Sequence, residues 1–287
     1  MADERKGGQR ARRRGPTPKP AATVKPSKPQ IEDAADPRRS RSLEYGTAIM
    51  QCYSGEHLAL GIADLAEVIG ISRSTTHRYA MTLVALGYLE QDSKRKYRLS
   101  PRAADPGSAA IEMIRAEVGG RAVLQELRDE LGHTVSMGVL AGGRVIYVHR
   151  LFGHRRGQFA IDRGLESGAH VPAYCTALGK VLIASLSSVE REQLLAKLEF
   201  APQGPKAILD RRRLAGAIEQ IGTSEAVLSD EEQLAGARSL AVLVPGARGR
   251  RTLAIDVTVP AATYSPSHLV KQATAHLKRA AKLIASA

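Results

Sequence analysis

Hydrophobic positions recur with helical spacing once a long polar stretch at the start of the chain has ended. Residues 42–53 predict a first helix, and a shorter second helix begins at Ala63 or Asp64. Gly70 predicts the end of the second helix, because glycine readily adopts the left-handed conformation that closes helices. Ser72 predicts the N-cap of a third helix that continues to Leu86. The buried stripe of this third helix is predicted to comprise Thr76, Tyr79, Ala80, Leu83 and Leu86.

A hairpin with a basic tip is predicted after the third helix. Strands are predicted over residues 87–91 and 96–100, and a turn at residues 92–93 joins them. Basic residues at or near the tip are Lys94, Arg95, Lys96 and Arg98. Helix, tight turn, helix and hairpin, in this order, predict a winged helix-turn-helix over residues 42–101.

A connecting helix is predicted over Asp105–Val118, with Ile111, Ile114 and Val118 on one side. Pro106 suits the first turn of a helix. Such a helix can form a dimer contact or pack against its own chain, and the pattern leaves both interpretations open.

From about residue 119 onward, helical and alternating patterns follow one another, which predicts a second domain. The hairpin at residues 134–151 turns at Gly142 and Gly143. Helices are predicted at residues 121–131, 173–186, 187–198, 210–222 and 267–286, and two further strands at residues 239–260. Ser187 and Glu190 form a capping box. We expect an antiparallel sheet with helices to one side, which is an α+β domain.

Polar and apolar residues alternate in "TLAIDVTVP", so one face of this strand carries Asp256 and Thr258. That face is either exposed to solvent or covered by helices and loops. If it is covered, Asp256 and Thr258 become polar groups in a concave site, which is how small-ligand pockets are built.

Composition and charge narrow the possible functions. The 287 residues allow two modest domains. Residues 1–41 contain twelve Lys or Arg and five Asp or Glu, and we expect a disordered basic arm that either solubilises the protein or tracks phosphate.

No apolar run reaches the roughly 20 residues of a membrane span, and no secretory signal is visible. Cys52 and Cys175 are the only cysteines, which predicts no disulfide framework and fits the cytoplasm.

The signs of charge are segregated within residues 42–100. Six basic and six acidic residues cancel there, yet every basic one lies in the third helix or the hairpin, and four acidic ones precede Gly70. Such segregation indicates a DNA-facing surface, although a solvated helix that happens to be basic is the alternative. The candidate DNA-binding residues are Ser72, Arg73, Ser74, Thr75, His77 and Arg78 in the helix and Lys94, Arg95 and Lys96 in the hairpin.

Catalytic and metal-binding motifs are weak. Gly179-Lys180 is not a phosphate loop, because Tyr174 stands where that motif requires glycine. Cys175 and Asp256, with either His149 or His170, have the residue types of a nucleophile triad, but nothing local supports one. The histidines His133, His149, His154 and His170 lack metal-ligand spacing. We therefore expect no enzyme activity, cofactor or metal.

From Ser42 onward the chain resembles the IclR family of bacterial transcriptional regulators. The resemblance is carried by "IADLAEVIGISRSTTHRYAMTLVALGYLE", "KYRLSPR", "GGRVIYVHR", "VPAYCTALGKVLIA", "LSDEEQLAGARSLAVLV" and "LAIDVTVP". It implies a winged helix-turn-helix, a linker helix over residues 102–118 and a GAF-like effector-binding domain over residues 119–287. It also implies a homodimer or a dimer of dimers on double-stranded operator DNA.

Effector-binding positions also follow from this resemblance. They are Ala177, Leu178, Ser229, Ala237, Ser239, Asp256 and Thr258. Two residues depart from the family pattern: Thr76 stands where relatives often have Val, and Asp256 where they often have Ser. We hypothesise that Asp256 favours an effector with hydroxyl or amino donors, unless Arg248, Arg250 or Arg251 pairs with it.

These features together predict an effector-responsive, sequence-specific DNA-binding regulator in the cytoplasm, a repressor of a catabolic or biosynthetic operon. Two other classes are alternatives. One is a small-molecule enzyme with an ancillary DNA-binding module. The other is an architectural protein that binds DNA through its basic arm and senses no ligand.

Overall fold

The computed structural model describes residues 38–53, 57–155, 165–221, 226–246 and 251–286, so the predicted basic arm lies almost entirely outside the described residues. The first domain contains helices α1 (Arg41–Gln51), α2 (Ile62–Ile69) and α3 (Arg73–Ala85). Strands β1 (Leu89–Gln91) and β2 (Tyr97–Leu99) form the hairpin, and both are shorter than predicted.

The predicted signals between α2 and α3 are confirmed. Gly70 ends α2 in the left-handed conformation, with φ of 80°. Ser72 caps α3, and its hydroxyl oxygen accepts the backbone N–H of Thr75 at 3.2 Å. Within the predicted stripe Thr76, Ala80 and Leu83 are buried and Tyr79 is half-buried. The prediction for Leu86 was wrong, because it follows the last turn of α3 and remains 52% exposed.

Helix α4 (Asp105–Val118) leads into the second domain with the bounds that the pattern predicted, and an unpredicted 3₁₀ turn (Pro101–Ala104) precedes it. Ile114 and Val118 belong to the core of that domain. The side chain of Arg115 also donates to the carbonyl of Val148 at 2.9 Å. The second half of α4 therefore packs against its own chain.

The second domain is built on one six-stranded antiparallel sheet with the order β5-β4-β3-β8-β7-β6. Its strands are β3 (Thr134–Ala141), β4 (Arg144–Leu151), β5 (His170–Pro172), β6 (Val227–Asp230), β7 (Ala237–Val244) and β8 (Leu253–Pro260). The short strands β5 and β6 were not predicted from the sequence. They extend the sheet at its two edges.

Helices cover both faces of this sheet, so the expectation of helices on one side was wrong. One face packs against α4, α5 (Arg121–Leu131) and α9 (Pro266–Ser286). The other packs against α6 (Ala177–Ala184), α7 (Ser188–Lys197) and α8 (Arg211–Glu219). Every residue of β8 is consequently buried. The polar face of this strand, whose exposure the sequence left open, is covered.

The predicted helix over residues 173–186 begins later than expected. Residues Ala173–Cys175 form a 3₁₀ turn, and Thr176 caps α6 by accepting the backbone N–H of Gly179 at 2.9 Å. Cys175 therefore precedes the helix instead of lying within it. No helix in the described ranges is long and apolar enough to cross a membrane.

Candidate functional sites

The first candidate site is the exposed surface of α3. Arg73, His77 and Arg78 all lie exposed on α3, outside its buried stripe. The guanidinium of Arg78 lies 5.4 Å from the ring centroid of Tyr79. The hydroxyl of Tyr79 lies 3.4 Å from that of Ser42 on α1, and this hydrogen bond lowers the pKa of Tyr79. The basic side chains thus stand on a helix fixed to its neighbour.

Short hydroxyl side chains occupy the first turn of α3. Ser72 Oγ lies 3.0 Å from Ser74 Oγ and 2.8 Å from Thr75 Oγ1. Ser72 and Ser74 are exposed, and Thr75 is half-buried. The first turn carries no acidic residue, so this helix end combines hydroxyl groups with the positive end of the helix dipole.

The hairpin turn presents the three predicted basic residues. Lys94, Arg95 and Lys96 are all exposed. The carboxylate of Asp92 fixes the turn by accepting the backbone N–H of Lys94 and of Lys96, each at 2.9 Å. Arg98 differs from them, because its guanidinium donates to the carboxylate of Glu90 at 2.8 and 3.0 Å. Arg98 therefore provides an internal comparison for the other basic side chains.

The second candidate site is a polar cluster on the sheet face below α6. Strand pairing places Ser229, Ser239 and Thr258 side by side on three neighbouring strands. The hydroxyls of Ser239 and Thr258 are hydrogen-bonded at 2.8 Å. Ser229 Oγ donates to the carbonyl of Cys175 at 3.0 Å, which joins this row to the turn before α6.

A second row of the polar cluster contains one acidic and one basic side chain, and both are buried. Asp256 is 2% exposed and pairs in register with Ser136 on β3. Arg150 is 6% exposed, and its Nη1 donates to Ser136 Oγ at 2.9 Å. Its guanidinium lies 4.9 Å from the ring centroid of Tyr147. Burial raises the pKa of Tyr147, and the negative charge of Asp256 raises it further.

Sequence reasoning missed Arg150, Ser136 and Tyr147. Their strands were predicted correctly, but their approach to Asp256 depends on β3 lying between β4 and β8. A usable signal was present, since Tyr147 and Arg150 interrupt an apolar strand. An arginine in a strand that is buried on both faces needs a polar partner.

The remaining predicted effector residues differ in their burial. Ala177 and Leu178 are fully buried in the apolar core at the first turn of α6, whereas Ala237 at the start of β7 is half-buried. Arg251 contacts Glu117 on α4 at 3.2 Å, so it forms a different pair from the one considered for Asp256. Arg248 and Arg250 lie outside the described residues.

The Gly-Lys pair in α6 has a packing role. A Cβ atom on Gly179 would lie 2.1 Å from the carbonyl oxygen of Ala173, so only glycine fits there. The ammonium of Lys180 is buried and lies 2.5 Å from a carboxylate oxygen of Glu232. It also donates to the carbonyl of Leu228 at 2.8 Å. Both residues therefore fix α6 against the sheet and the loop after β6.

The residues of the considered triad are not brought together. His149 pairs with Met137 on the sheet face that packs against α4 and α5, where burial lowers its pKa and nearby Arg115 and Arg121 lower it further. Cys175 lies on the opposite face, where burial raises its pKa to about 12. A thiol held protonated in this way is a poor nucleophile. Within the described residues no group of His, Cys, Asp or Glu side chains could hold a metal ion.

An exposed basic helix-turn-helix joined to a separate α+β domain with a buried polar cluster defines a DNA-binding transcriptional regulator that responds to a small molecule. The chain belongs to the IclR family. Residues 42–93 match the IclR helix-turn-helix domain, and residues 114–286 match the bacterial transcriptional regulator IclR C-terminal domain. This family consists of transcriptional regulators and is not an enzyme family.

Individual relatives are similar to this chain in sequence, and solved structures are similar to it in fold. The chain is 26% identical over 250 residues to the Pca regulon regulatory protein of Pseudomonas putida, an alignment that covers 87% of this chain and 84% of that protein. An IclR family transcriptional regulator from Brucella abortus has a similar structure, with a TM-score of 0.76 and 22% identity over 91% of this chain and 98% of that one. An IclR homolog from Microbacterium hydrocarbonoxydans, complexed with 4-hydroxybenzoate, has a TM-score of 0.63 and 19% identity over 85% and 98% of the two chains.

Proposed function

We propose that α3 enters the major groove of operator DNA and that the hairpin tip contacts phosphates. The observation that carries this proposal is the exposure of Arg73, His77 and Arg78 on one side of a capped helix. Arginine side chains suit guanine edges, and the hydroxyls of the first turn suit phosphates or base edges. Within this interface, Ser72, Ser74 and Thr75 surround the helix N-terminus, while Lys94, Arg95 and Lys96 supply phosphate contacts.

The salt dependence of binding tests the role of the hairpin. Replacement of Lys94, Arg95 and Lys96 together by Ala should lower the slope of log affinity against log salt by about one unit per lost phosphate contact. The matched control replaces Lys271, Lys278 and Lys282, three exposed lysines of α9, by Ala. Both variants remove the same formal charge. Equal changes in the slope for the two variants would contradict a phosphate-binding hairpin.

We further propose that the polar cluster binds the effector and that this effector is a small hydroxylated carboxylate. A buried arginine next to hydroxyls suits a carboxylate, and a buried Asp256 suits a hydroxyl or amino donor. Ala177 and Leu178 contribute the first backbone N–H groups of α6, which favour an anion at a helix N-terminus. Ser229, Ala237, Ser239 and Thr258 would line the remaining wall. The 4-hydroxybenzoate bound to the Microbacterium homolog has the same two functional groups.

Thermal-shift measurements of ligand binding test this assignment. The ligands are 4-hydroxybenzoate, benzoate and 4-hydroxybenzyl alcohol. Arg150→Met should weaken both carboxylates by about tenfold or more, whereas Arg144→Met, an exposed arginine of the same strand, should not. Asp256→Ala should remove the preference for the hydroxylated acid over benzoate. An unchanged preference would reject the role of Asp256. Arg150→Lys, which keeps the charge, separates loss of ligand binding from loss of folding.

The regulatory role follows from joining these two sites. We propose a repressor of a catabolic or biosynthetic operon, whose DNA-binding units change their spacing when the effector binds. Paired units must match half-sites about 34 Å apart or a multiple of this distance, so a small rearrangement removes several contacts. A homodimer or dimer of dimers, a cytoplasmic location and the absence of catalysis are parts of the same proposal. So are the boundaries at residues 42–101, 102–118 and 119–287.

A further inference from the structure

A cleft lies on the sheet face opposite the polar cluster. Its volume is about 260 Å³, and it opens between the end of α5, the start of α9 and strand β8. Its apolar lining consists of Leu131, Val257, Val259, Leu269 and Ala273. Val257 and Val259 alternate along β8 with Asp256 and Thr258. Strand β8 therefore separates this α5–α9 cleft from the polar cluster.

A chain of hydrogen bonds forms the polar end of the α5–α9 cleft. Arg155 Nη1 donates to the hydroxyl oxygen of Tyr264 at 3.1 Å. The Tyr264 hydroxyl in turn lies 2.9 Å from His133 Nε2. The guanidinium retains further N–H donors for a ligand.

The backbone holds Arg155 at this position. The carbonyl oxygen of Gly132, which ends α5, accepts the backbone N–H of His154 and of Arg155, each at 3.2 Å. The N–H of Gly153 donates to Thr134 Oγ1 at 2.8 Å. A Cβ atom on Gly153 would lie 2.5 Å from the backbone of His133, so the two segments are in close contact. The polar end of the cleft is thus built from adjoining, fixed segments.

The rim of the cleft carries more positive than negative charge. Its carboxylate, Glu130, contacts Arg279 and also lies 2.9 Å from His276 Nδ1. These partners lower the pKa of Glu130 and offset its negative charge. The positive charge that faces the apolar lining is therefore the guanidinium of Arg155. A fixed cation above an apolar floor is complementary to an organic anion.

We propose that the α5–α9 cleft is a second ligand site, which binds a small organic monocarboxylate. The carboxylate bonds to Arg155, and its apolar body lies against Val257, Val259 and Leu269. The volume of about 260 Å³ lies just below the roughly 300–1,000 Å³ of most ligand pockets, which limits the body to one ring or a short alkyl chain. This site shares no side chain with the polar cluster.

Methyl-labelled NMR spectra of the full chain distinguish the two sites during a titration with benzoate. The methyl groups of Val259 and Leu269 report on the α5–α9 cleft, and those of Leu178 report on the polar cluster. Benzyl alcohol, which has a similar size and no charge, is the control ligand. Arg155→Gln removes the proposed partner, and Arg128→Gln removes an arginine of α5 that contacts Asp129 instead.

The proposal predicts that benzoate shifts the Val259 and Leu269 signals to saturation and that benzyl alcohol does so far more weakly. Arg155→Gln should weaken binding at these reporters by about tenfold, and Arg128→Gln should leave it unchanged. Shifts confined to Leu178 would overturn the second site while leaving the effector proposal intact. Equal binding of benzyl alcohol, or cleft shifts unaffected by Arg155→Gln, would also overturn it.

Discussion

Replacement of Lys180 by Met should destabilise the effector-binding domain strongly. The ammonium and the Glu232 carboxylate are 7% and 10% exposed, and the ion pair measures 2.5 Å. At an effective dielectric constant of about 20, this separation gives an attraction of about 7 kcal/mol. Folding of the variant no longer includes the cost of desolvating an ammonium group, which is several kcal/mol, but the Glu232 carboxylate stays buried without its partner. We therefore expect a net loss of about 3–5 kcal/mol in the free energy of unfolding.

Urea unfolding at one fixed protein concentration measures this loss, since assembly would otherwise shift the midpoint. Two further variants complete the test. Lys180→Met with Glu232→Leu removes both charges and should recover most of the stability. Lys206→Met removes a half-exposed lysine that contacts Asp230 and Glu231, and its effect should be much smaller. A double variant as unstable as Lys180→Met would refute the reasoning, because the cost would then arise from packing and not from an unpaired charge.

Three further predictions concern the same domain. Gly179→Ala should lower the free energy of unfolding by about 1–3 kcal/mol or more because its Cβ meets the Ala173 carbonyl. Gly216→Ala, in α8 with no atom within 4 Å of the added Cβ, should raise it by about 0.5–1 kcal/mol in the same urea assay. Burial raises the pKa of Cys175 from 9.0 to about 12. As the pH rises, the thiol therefore loses its proton in the unfolded chain before it does so in the folded chain. The difference in unfolding free energy between wild type and Cys175→Ala should be constant below pH 9, and wild type should lose stability relative to Cys175→Ala above it. A constant difference up to pH 11 would contradict the raised pKa.

Local signals predicted the first domain well. Gly70 and Ser72 mark their helix ends because a positive φ and a capping hydroxyl are strictly local requirements. The closing helix was predicted just as well: its inward positions Leu269, Ala273, Leu277, Ala280 and Ile284 are all buried. In such cases the periodicity of a single helix carries the information.

Long-range arrangement was harder to predict. Asp256 and Thr258 give β8 the alternation of a half-exposed strand, yet their face is buried because helices α6, α7 and α8 cover that side of the sheet. Arg150 approaches this group only through the order of strands in the sheet. The start of α6 was missed although Thr176 is a usual capping residue, since the surrounding apolar run extends across the boundary.

The central claim is that α3 reads DNA through its exposed basic side. Its most direct test measures the affinity of the protein for DNA upstream of its own gene and for unrelated DNA. Fluorescence anisotropy at one salt concentration would compare wild type, Arg73→Ala and Arg78→Ala, with Arg98→Ala as the paired-arginine control. We predict that at least one of the first two variants loses about 1–3 kcal/mol of binding free energy on the specific site and little on unrelated DNA, whereas Arg98→Ala changes neither. Wild-type affinity and specificity in both Arg73→Ala and Arg78→Ala would contradict the claim.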